Sequence, residues 1–101
     1  MTPGKRSSVE DRQDEILECA LKMATGGLWM HITRREVAAR LGISPGLINH
    51  YFHGIEDLRD QVIALGCSQK IPRIIAVGLA VGHPDAVVLP DAVKRRAAVE
   101  A

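Results

Sequence analysis

Apolar residues along the first two thirds of this chain recur at helical spacing. Ile16, Leu17, Ala20, Leu21 and Ala24 fall on one face until Gly26-Gly27 interrupts the pattern. With Ser8 and Asp11 as a start signal, this predicts a first helix of about four turns. Leu28, Trp29, Met30 and Ile32 follow as an apolar connector, expected to pack beneath the elements after it.

Thr33 and Glu36 then stand in capping-box spacing, so the threonine oxygen can accept a backbone N–H of the first turn while the glutamate reaches back. Val37, Ala38 and Leu41 form a narrow inward stripe and leave Arg34, Arg35 and Arg40 toward solvent. Gly42 suits the left-handed position just past a helix end. Ser44 can cap the next helix, and Pro45 fits its first position, where an amide has no intrahelical acceptor. On that helix, residues 45–52, Ile48 and Phe52 point one way, and Gly46, Asn49 and His50 point the other with His53. Two helices joined this tightly, with small Ala38 at their approach and Ile43 in the turn, meet the packing needs of a helix-turn-helix, whose second helix reads DNA.

Ile55, Leu58, Val62 and Leu65 mark a fourth helix that starts after His53-Gly54 and ends near Gly66. Beyond Lys70 the pattern is weaker. Residues 72–82 are apolar with two glycines, His83-Pro84-Asp85 reads as a break, and Pro90-Asp91 opens a last helix carrying Lys94, Arg95 and Arg96. Residues 1–7 read as a flexible arm whose Lys5 and Arg6 are candidates for phosphate contact.

Composition narrows the class. A chain of 101 residues with three aromatics, Trp29, Tyr51 and Phe52, and an abundance of Ala, Leu, Ile and Val favours an all-α core. At this size burial is marginal unless the helices pack well or a partner contributes surface. The net charge of +1 is not that of a strongly basic nucleic-acid binder, yet three arginines face one acid, Glu36, between His31 and His53. That local excess permits phosphate contacts and predicts modest non-specific affinity. Cys19 and Cys67 are isolated and no signal segment precedes them, so neither a disulfide framework nor a zinc site is expected and the expected compartment is cytoplasmic. The apolar run at 74–81 is too short to span a bilayer, so no membrane partner is expected.

The Thr33-Arg-Arg-Glu-Val-Ala start, the Leu41-Gly-Ile-Ser turn and the Gly46-Leu-Ile-Asn-His-Tyr-Phe helix with Leu58 behind it resemble the N-terminal domain of the TetR/AcrR family of bacterial transcription regulators. The resemblance covers roughly residues 12–65. It implies a homeodomain-like three-helix domain at 8–70 with a connecting fourth helix, followed at 71–101 by a truncated, incomplete helical remnant of an effector and dimerisation domain. It further implies that the third helix enters the major groove, that Tyr51 and the Thr33 cap hold phosphates, and that Asn49 and His50 see base edges. Family members carry a lysine at the start of the fourth helix where this chain has Ile55, so one phosphate anchor is missing or supplied by His53.

The residues assigned to DNA contact are therefore Thr33, Arg34, Arg35, Ser44, Pro45, Gly46, Leu47, Asn49, His50, Tyr51 and His53. Asparagine can pair bidentately with adenine, histidine can reach guanine acceptors, and the amides that open the second helix are an anion site in themselves. His50 and His53 with His31 nearby suggest a metal only weakly, since no carboxylate or thiol joins them, and no metal or cofactor is expected. No nucleophile with its base and orienter is present and no glycine loop that cradles phosphate, so no catalysis is expected. The leading expectation is a sequence-specific regulator, a repressor by family resemblance, bound to double-stranded DNA. A homodimer would require an inverted repeat with half-sites about 34–36 Å apart. The alternative is an interaction module that pairs with a full-length regulator through residues 74–89 without binding DNA itself. A small-molecule effector stays open, because the pocket domain is incomplete.

Overall fold

An 18-residue helix with one apolar stripe has to lay that stripe on something, and here the rest of the chain wraps it. The computed structural model describes the backbone of residues 8–100 and the side chains of residues 11–100. The arm at 1–7, with Lys5 and Arg6, and the proposed Ser8 cap lie outside the described side chains. The elements are α1 (Ser8–Thr25), a 3-10 turn (Trp29–His31), α2 (Arg34–Leu41), α3 (Pro45–Tyr51), α4 (Ile55–Ser68), α5 (Pro72–Val81), α6 (Pro84–Val87) and α7 (Asp91–Glu100). The described chain is all-helical and contains no strand.

The predicted stripe of α1 is buried through Ile16, Ala20 and Ala24, with Leu17 and Leu21 at its flank and Met23 added to it. Ile32, Val37 and Ala38, Ile48 of α3, Phe52, and Leu58 and Val62 of α4 close over that stripe, and Ile74 of α5 completes the cluster. In the connector Leu28, Trp29 and Ile32 pack as expected, but Met30 is 80% exposed. The 3-10 turn explains the difference: with three residues per turn, Trp29 and Ile32 share the inner side and Met30 points away from it.

Four helix ends close in the same way. The N–H of Leu28 donates to the Met23 carbonyl at 2.8 Å, Ile43 to Ala38 at 3.0 Å, Ile71 to Gly66 at 2.9 Å and His83 to Gly78 at 2.8 Å. Each is a six-to-one closure that needs a left-handed residue just before the donor. Gly42 meets that need with φ 68°, as the sequence predicts, but after α4 the position belongs to Lys70, with φ 55°.

The fourth helix runs past its expected end. Gly66 lies inside α4, buried, because Ile74 of α5 occupies the space where a Cβ would stand. Glycine serves there as a point of close approach and not as a stop. The apolar residues 72–81 form α5, the break read at His83-Pro84-Asp85 falls between α5 and α6, and residues 84–87 form the short helix α6. Ile75 and Ala86 join Ile63 and Cys67 of α4 and Ala97 of α7 in a second cluster, and Trp29 packs against both clusters. His83 is part of this construction. Its Nδ1 accepts the Asp85 amide at 3.1 Å and so caps α6, while its Nε2 lies 2.7 Å from an Asp60 carboxylate oxygen on α4. Because Nδ1 accepts, the ring proton sits on Nε2 and is donated to Asp60.

Two substitutions test this packing by urea denaturation. Gly66→Ala gains about 1 kcal/mol in helix propensity, but its methyl overlaps a branched, fully buried Ile74, an overpacking cost of about 1–3 kcal/mol. The unfolding midpoint is expected to fall. Lys70→Gly relieves a left-handed strain of about 1–2 kcal/mol and loses about 0.5–1 kcal/mol to backbone entropy. Its midpoint is expected to rise.

Candidate nucleic-acid interface

The start of α2 is built by Thr33. Its backbone is extended, and its hydroxyl accepts the Glu36 amide at 3.1 Å, the bond that its spacing to Glu36 predicts. The returning half of the capping box is replaced: the Glu36 carboxylate turns along the helix to Arg40 at 3.9 Å. The amides of Arg34 and Arg35 precede the first intrahelical bond and have no carbonyl of their own helix to reach. Both arginine side chains are exposed, and among the described residues neither makes an ion pair. This helix end therefore combines two open amides, a positive dipole end and two unpaired guanidinium groups.

Gly42 and Ile43 carry the chain into α3. Ser44 takes the N-cap position with an extended backbone, but its hydroxyl makes no cap bond. The reason lies in the backbone: the Leu47 amide, which the hydroxyl would cap, is already taken by the Ser44 carbonyl at 3.1 Å, and Pro45 has no N–H to offer. The Ser44 hydroxyl and the Gly46 amide are left at an open helix start.

On α3 Ile48 is fully buried and Phe52 nearly so, whereas Ser44, Pro45, Gly46, Asn49, His50 and His53 are exposed and Leu47 and Tyr51 are half-buried. The division of faces is the one the helical spacing predicts. Tyr51 packs against the first core with its ring edge-on to His50, centroids 4.9 Å apart. All the residues assigned to DNA contact are thus accessible to some degree.

Three residues hold this face in place without belonging to it, and the spacing analysis singled out none of them. Gln13 of α1 donates to the Tyr51 carbonyl at 3.1 Å and satisfies the end of α3. Asp57 accepts the His53 amide at 2.9 Å, which fixes the exit from α3 and holds the Asp57 carboxyl below the usual aspartate value. Arg59 of α4 donates to the Ile32 carbonyl at 2.7 and 3.1 Å. Only Asp57, four residues beyond its partner, carried a local signal. The other two partners lie too far away in sequence for any spacing rule.

Elsewhere the side chains offer little chemistry. Among the described residues no three His, Cys, Asp or Glu side chains come together in a metal-binding group. Burial pushes the Cys19 and Cys67 thiols above their ordinary value, against the pull of Arg40 and Lys22 on Cys19, so neither is activated as a nucleophile. Among the described residues no helix is long and apolar enough to cross a membrane. No family model, curated protein or solved structure matches the chain.

Proposed function

We propose that this chain is a sequence-specific DNA-binding regulator, with α1 to α3 acting as a homeodomain-like helix-turn-helix of the TetR/AcrR kind and α3 reading the major groove. The observation that carries the reading is the two-sided character of α3. It buries Ile48 and presents Gly46, Asn49 and His50, while the α2 start beside it offers open amides and two unpaired arginines. Phosphate contacts at the α2 start would set the register, and Asn49 and His50 would read base edges. His53, fixed by Asp57, lies two residues before Ile55, the position where TetR/AcrR regulators carry a lysine. Repression follows from the resemblance alone, by occlusion of a promoter.

The competing reading, an interaction module that works through residues 74–89, has less surface to use. Ile74, Ile75, Gly78 and Ala86 are buried within the chain, and Val81, Val87 and Val88 are the large apolar side chains left exposed there. It survives as an outcome of the test.

Selection from a random duplex pool at about 100 mM salt, where phosphate contacts alone hold weakly, is expected to enrich a defined sequence. An enriched palindrome means a dimer, a lone half-site a monomer, and no enrichment at any salt overturns the proposal in favour of the module. The double variant Asn49→Ala, His50→Ala should keep its helicity and lose roughly fivefold to a hundredfold in affinity for the selected site per base contact removed. Gly46→Ala separates stability from binding. Its Cβ meets nothing closer than the Ser44 oxygen at 3.9 Å. A gain in thermal stability of up to about 1 kcal/mol from helix propensity is expected, together with weaker binding of the selected duplex because the methyl stands on the presented face.

A further inference from the structure

Arg59 is exposed over only 28% of its side chain and has three partners, an unusual investment for a guanidinium in a helix of this small protein. Its Nη2 and Nε both donate to the Ile32 carbonyl, at 2.7 and 3.1 Å, its Nη1 reaches Glu56 at 3.3 Å, and its central carbon lies 5.8 Å from the centre of the Trp29 ring. Ile32 is fully buried and immediately precedes Thr33, the cap of α2. The contact therefore fixes one particular peptide unit, the one between Ile32 and Thr33.

That unit is planar and trans, so its C=O and N–H point in opposite directions. Drawing the Ile32 carbonyl inward to the guanidinium turns the Thr33 amide outward, away from α4. The Thr33 N–H then joins the open amides of Arg34 and Arg35 at the start of α2. A fork of two donors on one oxygen, with an aromatic ring beside it, restricts the peptide plane more tightly than one flexible ammonium could.

We infer that Arg59 is a positioning residue for the phosphate contact at the α2 start: from α4 it aims the Thr33 amide and the Thr33 cap at a backbone phosphate. The inference rests on the DNA-binding reading above. It predicts that Arg59 governs affinity without governing sequence choice, because phosphate contacts are shared by all duplexes.

The test compares wild type, Arg59→Met and Arg59→Lys on the selected duplex and on a scrambled one, with the binding-competent fraction of each protein titrated at high concentration. Trp29, the only tryptophan, reports the loss of its guanidinium neighbour by a change in emission. Arg59→Met should weaken both duplexes alike, by roughly tenfold, the value of about one charge-assisted hydrogen bond, with the competent fraction unchanged. Arg59→Lys should recover part of the loss. Combined with Thr33→Ala, the Arg59→Met loss should be less than additive, since both act on one contact, while with Asn49→Ala it should be additive. If Arg59→Met changes Trp29 emission but leaves affinity intact, or if its loss adds equally to both partners, the inference is overturned and the DNA-binding reading stands. If Arg59→Met fails to fold, Arg59→Lys carries the same comparison, and full wild-type affinity in that variant with altered emission overturns the inference. If wild type binds neither duplex, the underlying reading fails and this inference falls with it.

Discussion

One helix has to be buried on two sides, and the rest of the molecule is arranged around that requirement. Leu58 and Val62 of α4 belong to the cluster shared with α1, α2 and α3, whereas Ile63 and Cys67 belong to the cluster shared with α5, α6 and α7. Neither cluster is large, and a chain of about this size has little apolar area to spare. Each side supplies a cover that α4 would otherwise lack. Ile74 and Trp29 reinforce the arrangement, the first by filling the space over Gly66 and the second by touching both clusters.

The polar ties follow a common rule. Gln13 satisfies a carbonyl at the end of α3, Arg59 a carbonyl just before α2, Lys94 the Val87 carbonyl at the end of α6, and His83 an amide at the start of α6. Every one of these backbone groups lies at a helix terminus, where the helix itself leaves donors and acceptors without partners. Among the described residues no buried side-chain polar atom lacks a partner. Short helices have a high proportion of such ends, and this chain meets the need with side chains from other helices at Tyr51, Ile32 and Val87 and with the helix's own cap residue at Asp85. The cost of an unmade bond at a partly buried terminus exceeds the small net gain of an average hydrogen bond, so these ties fix geometry more than they add stability.

What could be read from the residues in order was whatever depends on neighbours in order. The Thr33 bond to the Glu36 amide, the left-handed Gly42, the Pro45 start and the opposed faces of α3 all arise within a few residues, and each was legible. Ser44 was misleading because a backbone carbonyl took the amide that its hydroxyl was expected to cap. Gly66 was read as a stop because a glycine needed for a neighbour's Ile74 is indistinguishable, along one strand of text, from a glycine needed for a turn. His83 was legible as a break, since it lies between α5 and α6, but its tie to Asp60, 23 residues away, was not. The candidate face was therefore visible from sequence, while Gln13 and Arg59, which hold it from other helices, were not.

The two thiols sit differently with respect to the two-sided burial of α4. Cys19 on α1 is partly accessible in the folded chain, whereas Cys67 is almost completely covered by the second cluster. A thiol reagent would thus meet Cys19 in the native ensemble but reach Cys67 only when the cover of α5 to α7 lifts. The pair forms an internal clock: the lag between the two labelling events measures how often α5 to α7 open away from α4, and whether they do so before the rest of the chain gives way.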